Sequence, residues 1–271
     1  MTNRLDLLGE FDLNFKKQFG ARVSAAAWNN QAYNDTSVHT VVPGYSSSYT
    51  GNNYDDTVKR YVRGPSGEIL DAFVWTNFRI GDTPINLKIG RHTNYWGEGL
   101  LVGAHAISYS QAPADGVKAS TSPGIETKEV FLPLGQVSGR AQLTDNLSVA
   151  GQYFYEWKNT RLPYGGTYFA PADMLFEGPD KLPVAANGLA FARQPSIKPK
   201  QSGNWRVTAK YNAEAIEPTI GLYYRRFDDY QPWLSPQTLG AQAAFRLVYP
   251  KDVSLIGVSV ARMIGPVSVG T

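Results

Sequence analysis

Apolar residues recur at every second position through most of this chain, the pattern of strands with one apolar and one polar face. Leu5, Leu7, Phe11, Leu13 and Phe15 alternate with Asp6, Leu8, Glu10, Asp12 and Asn14. After a short connection at Lys17-Gln18-Phe19-Gly20, Val23, Ala25 and Ala27 alternate with Arg22, Ser24 and Ala26. A second hairpin runs through Ala72, Val74, Thr76, Phe78 and Ile80, turns at Gly81-Asp82-Thr83-Pro84, and returns through Ile85, Leu87 and Ile89. A third joins Val137, Gly139, Ala141 and Leu143 to Leu147, Val149, Gly151, Tyr153 and Tyr155. A fourth pairs Trp205, Val207, Ala209 and Tyr211 with Ile220, Leu222 and Tyr224. A fifth leads from Ala241, Ala243, Phe245 and Leu247 through Pro250-Lys251-Asp252 into Ile256, Val258 and Val260, with a further strand starting at Pro266-Val267.

The pattern predicts about ten strands of roughly 9–12 residues, the length that crosses an outer membrane when tilted. Short turns alternate with long connections at 34–68, 93–126 and 158–203, and a shorter one near 229–238. A soluble sandwich has no reason to sort its connections this way; an outer-membrane barrel does. The expected fold is all-β, an antiparallel up-and-down transmembrane β-barrel occupying 1–271 as a single domain. The alternate face carries Arg22, Arg79, Lys88, Arg140, Arg206, Lys210, Arg225 and Arg246, with Asp6, Glu10, Asp12, Asp71, Glu156 and Glu217. An Arg or Lys on the lipid face costs about 2–4 kcal/mol at the midplane, so this face is expected to line a wet lumen. Tyr153, Tyr155, Trp157, Trp205, Tyr211, Tyr224 and Tyr249 fall near strand ends, where interfacial aromatics belong.

Composition agrees and narrows the chemistry. Aromatics reach 13% and glycines number 26, as girdles and turns require, while no apolar run is long enough for a membrane helix. Cysteine is absent, which removes disulfide and thiolate chemistry. A net charge of +3 without a basic run gives no nucleic-acid footprint. Met1-Thr2-Asn3-Arg4 enters a strand directly, and Val267-Ser268-Val269-Gly270-Thr271 resembles a strand's start. The reading therefore expects a mature, trimmed or partial chain and an incomplete barrel, with truncation at the C-terminus and at the N-terminus.

Several runs between residues 78 and 182 carry a family likeness: Gly81-Asp82-Thr83-Pro84-Ile85-Asn86-Leu87-Lys88-Ile89-Gly90-Arg91, Asn94-Tyr95-Trp96-Gly97-Glu98-Gly99, Glu129-Val130-Phe131-Leu132-Pro133, Leu143-Thr144-Asp145-Asn146-Leu147-Ser148 and Thr160-Arg161-Leu162-Pro163-Tyr164-Gly165-Gly166-Thr167-Tyr168-Phe169. Together they resemble an uncharacterised family of Gram-negative outer-membrane proteins, a domain of unknown function whose members are longer and begin with a signal peptide. The resemblance implies an outer-membrane barrel. It also implies an exporter-like inner-membrane protein and a lipoprotein-like partner, and handling of lipids or other hydrophobic molecules. It supplies no catalytic residues.

No catalytic or metal motif stands out. His39, His92 and His105 lack ligand spacing and read as loop histidines, although His92 lies near Ser108 in sequence. Asp55-Asp56, Asp228-Asp229, and Asp173 with Glu177 and Asp180 suit either solvated loop charge or a divalent ion bridging lipopolysaccharide. The reading assigns no enzyme activity, cofactor or metal. The expected lumen and constriction residues are Arg79, Lys88, Arg91, Asn94, Trp96, Glu98, Arg140, Arg206, Arg225 and Arg246. Arg91, Asn94, Trp96 and Glu98 form either a lumen-facing cluster that turns the 93–126 loop inward or a plain folding contact around Gly97 and Gly99. The expected function is an outer-membrane channel or transporter for amphipathic or hydrophobic anions, since basic linings favour anions. Two alternatives are a plugged barrel whose 158–203 loop docks a partner and, behind it, an outer-membrane hydrolase. Expected partners are outer-membrane lipid and lipopolysaccharide, and a lipoprotein or export-system component.

Overall fold

The computed structural model describes residues 3–34, 37–38, 43–96, 106–122, 124–125, 127–172, 176–186, 188–213, 218–239, 242–264 and 267–270. Fourteen strands are described: β1 (Arg4–Phe15), β2 (Phe19–Asn30), β3 (Ser66–Ile80), β4 (Thr83–His92), β5 (Leu134–Gln142), β6 (Leu147–Phe154), β7 (Lys181–Pro183), β8 (Ala190–Arg193), β9 (Trp205–Asn212), β10 (Thr219–Phe227), β11 (Trp233–Leu239), β12 (Gln242–Val248), β13 (Val253–Ile264) and β14 (Val267–Gly270). Ten of them form one antiparallel sheet in the order β1-β2-β3-β4-β5-β6-β9-β10-β13-β14. Every neighbour in this sheet precedes or follows in the chain once the loop strands are set aside. The fold is therefore an up-and-down β-barrel wall, with β1 and β14 as its two edges.

The two faces separate as the sequence predicts. Leu7, Phe11, Val74, Ile80, Leu222, Ile256 and Val258 are exposed, although they are large and apolar. The opposite positions carry Asp6, Glu10, Asp12, Arg22, Asp71, Lys88, Arg140, Arg206, Lys210 and Arg225, set by registers such as Asp12↔Arg22, Asn86↔Arg140 and Arg225↔Arg206. A bulge between Val23 and Ala25 shifts the β2–β3 register. It lets Leu70 be buried beside Asp71 instead of pointing out. Exposed aromatics mark both ends of the apolar face. Phe15 and Phe19, stacked at 4.9 Å, lie at the turn end with Phe78 and Tyr211. Tyr153, Tyr155 and Trp205 lie at the loop end, with Trp205 packed 5.2 Å from the Tyr224 ring. Trp157 and Tyr249, expected in the same row, are instead buried with Leu134, Phe154, Tyr230 and Leu247.

One segment crosses the charged side of the sheet. Ser122 Oγ donates to Asp6 Oδ2 on β1 at 3.1 Å. Ile107 packs on Gly257 of β13 so closely that a Cβ there would lie 2.5 Å from its Cγ1. Residues 107–122 therefore cross the charged side from β13 back to β1, and in an up-and-down barrel wall the side that holds such a segment is the inner, concave one.

The expected fifth hairpin is not formed. β13 pairs directly with β10, and β12 pairs with β11 and β8 in a separate four-stranded sheet, β11-β12-β8-β7. Residues 228–252 are thus one long excursion. The alternation at Phe245 and Leu247 is real, but both are buried away from lipid, Leu247 in a core with Leu134, Phe154, Trp157, Tyr230 and Tyr249. A second loop core joins Val38, Tyr49, Val58 and Val62 to Val117 and Tyr164, so three long connections share one apolar centre.

Leu222→Arg on the outward face of β10 should cost about 2–4 kcal/mol in urea unfolding from lipid vesicles. Arg140→Gln on the concave face should change stability by less than about 0.5 kcal/mol. Equal costs at the two positions would contradict the assignment of faces.

Candidate functional site

The concave face holds two buried guanidinium groups side by side, Arg206 on β9 and Arg225 on β10. A guanidinium carries five N–H donors, and burial demands acceptors for them. Arg206 Nη1 donates to Gln111 Oε1 at 2.7 Å and Nη2 to the Asn94 carbonyl at 2.5 Å, while Nε donates to Gln152 Oε1 on β6. Its charge also lies 4.9 Å from the Trp96 ring and 5.2 Å from the Phe154 ring. Arg225 donates to the carbonyls of Ile107 at 2.9 Å, Tyr109 at 2.5 Å and Ser110 at 2.8 Å. Gln111 completes the clamp: its Oε1 accepts from Trp96 N at 2.7 Å, and its amide donates to the carbonyls of Trp96 and Ile107. Just beyond β10, Asp229 accepts from Ser110 Oγ at 2.8 Å and from the Tyr109 hydroxyl at 2.5 Å. Desolvation first, and then this bond to Asp229, pushes the Tyr109 hydroxyl up to about 12, so it stays a donor at neutral pH. The described parts of the 93–133 connection are in this way fixed against the inner wall.

Two cavities flank the fixed segment. One, of about 480 Å³, lies over β1–β4 and is lined by Leu8, Leu70, Phe73, Tyr95, Phe131 and Pro133, with Glu10, Arg22, Asp71, Lys88 and Glu129 among its polar groups. The other, of about 510 Å³, lies toward the loops between Ser108–Ala112, Thr160, Tyr230 and Gln231. In the first cavity Arg22 pairs with Glu10, Asp12 and Asp71, and Glu129 with Lys118. Lys88 sits 5.4 Å from the Phe73 ring and, among the described residues, has no carboxylate at ion-pair distance. Arg140 and Arg79 share a further groove toward the turn end, so Lys88, Arg140 and Arg79 form a basic strip down β3–β5.

Ion pairs stitch the rim. Arg161 meets Glu68 at 2.5 Å and Asp115 at 2.8 Å. Burial works against its charge, but the two carboxylates outweigh burial and hold its proton more tightly than water would. Arg91 meets Glu156 at 2.6 Å, and Lys158 meets the same carboxylate at 3.4 Å. Burial alone would push Glu156 up; the Arg91 hydrogen bond, the Lys158 charge and the Gly135 N–H together hold it below the ordinary glutamate range.

The family model described as "Protein of unknown function (DUF1302)" matches residues 1–271. The chain belongs to the DUF1302 family. No curated protein matches it. Among solved structures it is similar to OprB of Pseudomonas putida, at 14% identity and a TM-score of 0.32, covering 95% of this chain and 54% of that one. The chain thus spans about half the length of the solved chain it matches.

In this DUF1302 chain the expected lumen residues separate into groups. Lys88, Arg79 and Arg140 lie on the concave face. Arg206, Arg225, Asn94 and Trp96 come together, but as the clamp under the loop; neither guanidinium is open to the lumen. Arg91 is turned away to Glu156 at the rim, in a cavity shared with Glu68, Lys158 and Arg161. Arg246 is on β12, outside the wall altogether. Glu98, Glu217, Asp173, His39 and His105 lie outside the described residues.

His92 is not a loop histidine. It ends β4, is buried, and bonds Ser138 Oγ at 2.7 Å through Nε2; Ser108 is not its partner. The loop acids are not merely solvated either. Asp55 caps the turn at Val58 N, Asp180 accepts from Thr50 N, Glu177 pairs with Arg193, and Asp228 accepts from Asp252 N. Among the described residues no three metal-ligating side chains gather. The sequence reading missed Gln111, Gln152 and the Glu68–Arg161–Asp115 triad, and it singled out Asp229 only as a loop acid. No period or spacing marks these contacts, because each partner lies far away in the chain.

Arg206→Ala should free the loop without unfolding the wall. A hydrogen bond to a charged group contributes about 1.5–3 kcal/mol, so the Trp96 amide, held by Gln111, should exchange roughly ten- to a hundredfold faster. Amides of β1 and β2 should keep their protection. Unchanged exchange at Trp96 would contradict the clamp.

Proposed function

We propose that this chain forms the wall of a channel-like β-barrel in the outer membrane of a Gram-negative bacterium, with the 93–133 connection folded in as its constriction. The observation that carries the reading is the clamp. Two buried arginines hold loop carbonyls on the concave face, while the cavity over β1–β4 stays free beside them. The outward face supports the membrane setting, because large aliphatic side chains are exposed there between two rows of aromatics.

The cargo that fits is an amphipathic or hydrophobic molecule with an anionic head. Its apolar part has Leu8, Leu70, Phe73, Tyr95 and Phe131 to lie on. Its head has Lys88, and beyond it Arg140 and Arg79, whereas the acids of the same cavity are engaged by Arg22 and Lys118. The anion preference therefore rests on Lys88 and not on Arg206 or Arg225.

A second reading, a plugged barrel that binds a partner such as a lipoprotein or export component, is favoured by the shared loop cores. A hydrolase reading is disfavoured, since the Ser138 hydroxyl beside His92 is buried and lines neither cavity.

The test is reversal potential and solute uptake with the full-length protein in vesicles. Anion preference is expected, and Lys88→Gln should lower it by roughly fivefold, the effect of about 1 kcal/mol from one unit charge near 4 Å in water. Cation preference in the unaltered protein would sink the anion assignment. A sealed lumen with loop-dependent capture of a lipoprotein would favour the plugged reading.

A further inference from the structure

Among the described residues, the two cavities beside the clamp share two lining residues, Tyr95 and Phe131. Their rings meet edge to face with centroids 4.8 Å apart, so this contact is the partition between the space over β1–β4 and the space toward the loops.

Both rings stand on backbone that is fixed. Tyr95 lies between Asn94, whose carbonyl accepts from Arg206, and Trp96, whose N–H and carbonyl are both bonded to Gln111. Phe131 is bridged to Ala114, with Leu132 N donating to Pro113 O at 2.8 Å and Asp115 N to Val130 O at 2.7 Å. A passage here therefore opens by ring rotation about the side-chain bonds, with the loop left in place. Tyr95 is the more exposed of the two rings, and exposed aromatic side chains change rotamer in picoseconds to nanoseconds, far faster than loop motion.

We infer that the Tyr95–Phe131 pair is the gate of the channel and its size filter. This rests on the channel reading above. Turning one ring aside opens an apolar slot one ring thick between two cavities of about 480 and 510 Å³. Such a slot admits an unbranched hydrocarbon chain and rejects a bulky polycyclic solute of the same charge. The acidic and basic groups of the inner cavity lie on the far side of the slot from the loops.

The experiment uses full-length protein in vesicles with two anionic probes, decanoate and a bulky sulfonated polycyclic dye. Unaltered protein is expected to pass decanoate and exclude the dye. Tyr95→Ala with Phe131→Ala should admit the dye severalfold faster, and the milder Phe131→Leu should show part of the gain if the double variant assembles poorly. Arg206→Ala with Arg225→Ala, which releases the loop, is the positive control and should admit both probes. Dye exclusion unchanged in the ring variants while the loop-released protein passes dye would overturn the gate and leave the channel standing. Dye passing the unaltered protein would overturn the gate as well. If no variant passes either probe, the channel reading fails and the gate fails with it.

Discussion

A charged side chain and an acyl chain cannot share one face of a sheet, and this constraint organises the whole molecule. Each of the ten wall strands presents residues to both sides, so the alternation of the sequence decides which side can meet hydrocarbon. Leu222 and Ile256 face one way, while Arg225 and Lys210 face the other. Backbone N–H and C=O groups are paired between strands from β1 to β14, which is what a sheet in an apolar medium must achieve. Curvature follows from the same separation, because the charged side encloses the loop that satisfies it.

The second demand comes from the guanidiniums on that charged side. Arg206 and Arg225 lie together and have no carboxylate between them, so the wall, which offers Gln152 to Arg206 Nε, leaves their terminal N–H donors unmet. The 93–133 connection supplies carbonyl oxygens at Asn94, Ile107, Tyr109 and Ser110, and Gln111 ties the backbone together. A buried cation that loses such partners is strongly destabilising, which explains why this loop lies flat against the wall while others form a cap of their own. The fixed loop in turn sets the place of the cavities, and the basic strip from Lys88 to Arg79 lies beside them on the inner face.

Much of the wall was legible in the sequence because period two is a local signal. β1 to β6, β9, β10 and β13 follow the alternation read from their residues, and the turns Gly81-Asp82 and Thr144-Asp145-Asn146 carry the glycine, aspartate and asparagine that turns favour. β12 shows the limit of that signal. Its Phe245 and Leu247 alternate like a wall strand, but alternation reports only that one side is buried, and here both are buried away from lipid. The site was legible in part for the same reason. Arg206 and Arg225 could be placed on the charged face, but not under a loop. Arg91 looked like a lumen residue until Glu156 claimed it at the rim. Tyr95 and Phe131 carry no sequence mark of their contact, which arises from two stretches of chain held by separate bonds.

On the proposed reading the aliphatic face meets lipid and the charged face meets water. The chain has no cysteine, so single cysteines can be placed freely and labelled with a fluorophore. In full-length protein reconstituted into vesicles, labels at Leu7, Val74, Leu222 and Ile256 should be quenched by nitroxide lipids and spared by an aqueous quencher, and labels at Asn86 and Lys210 should behave the opposite way. Nitroxide lipids that quench both sets alike, or quench neither, would contradict the account.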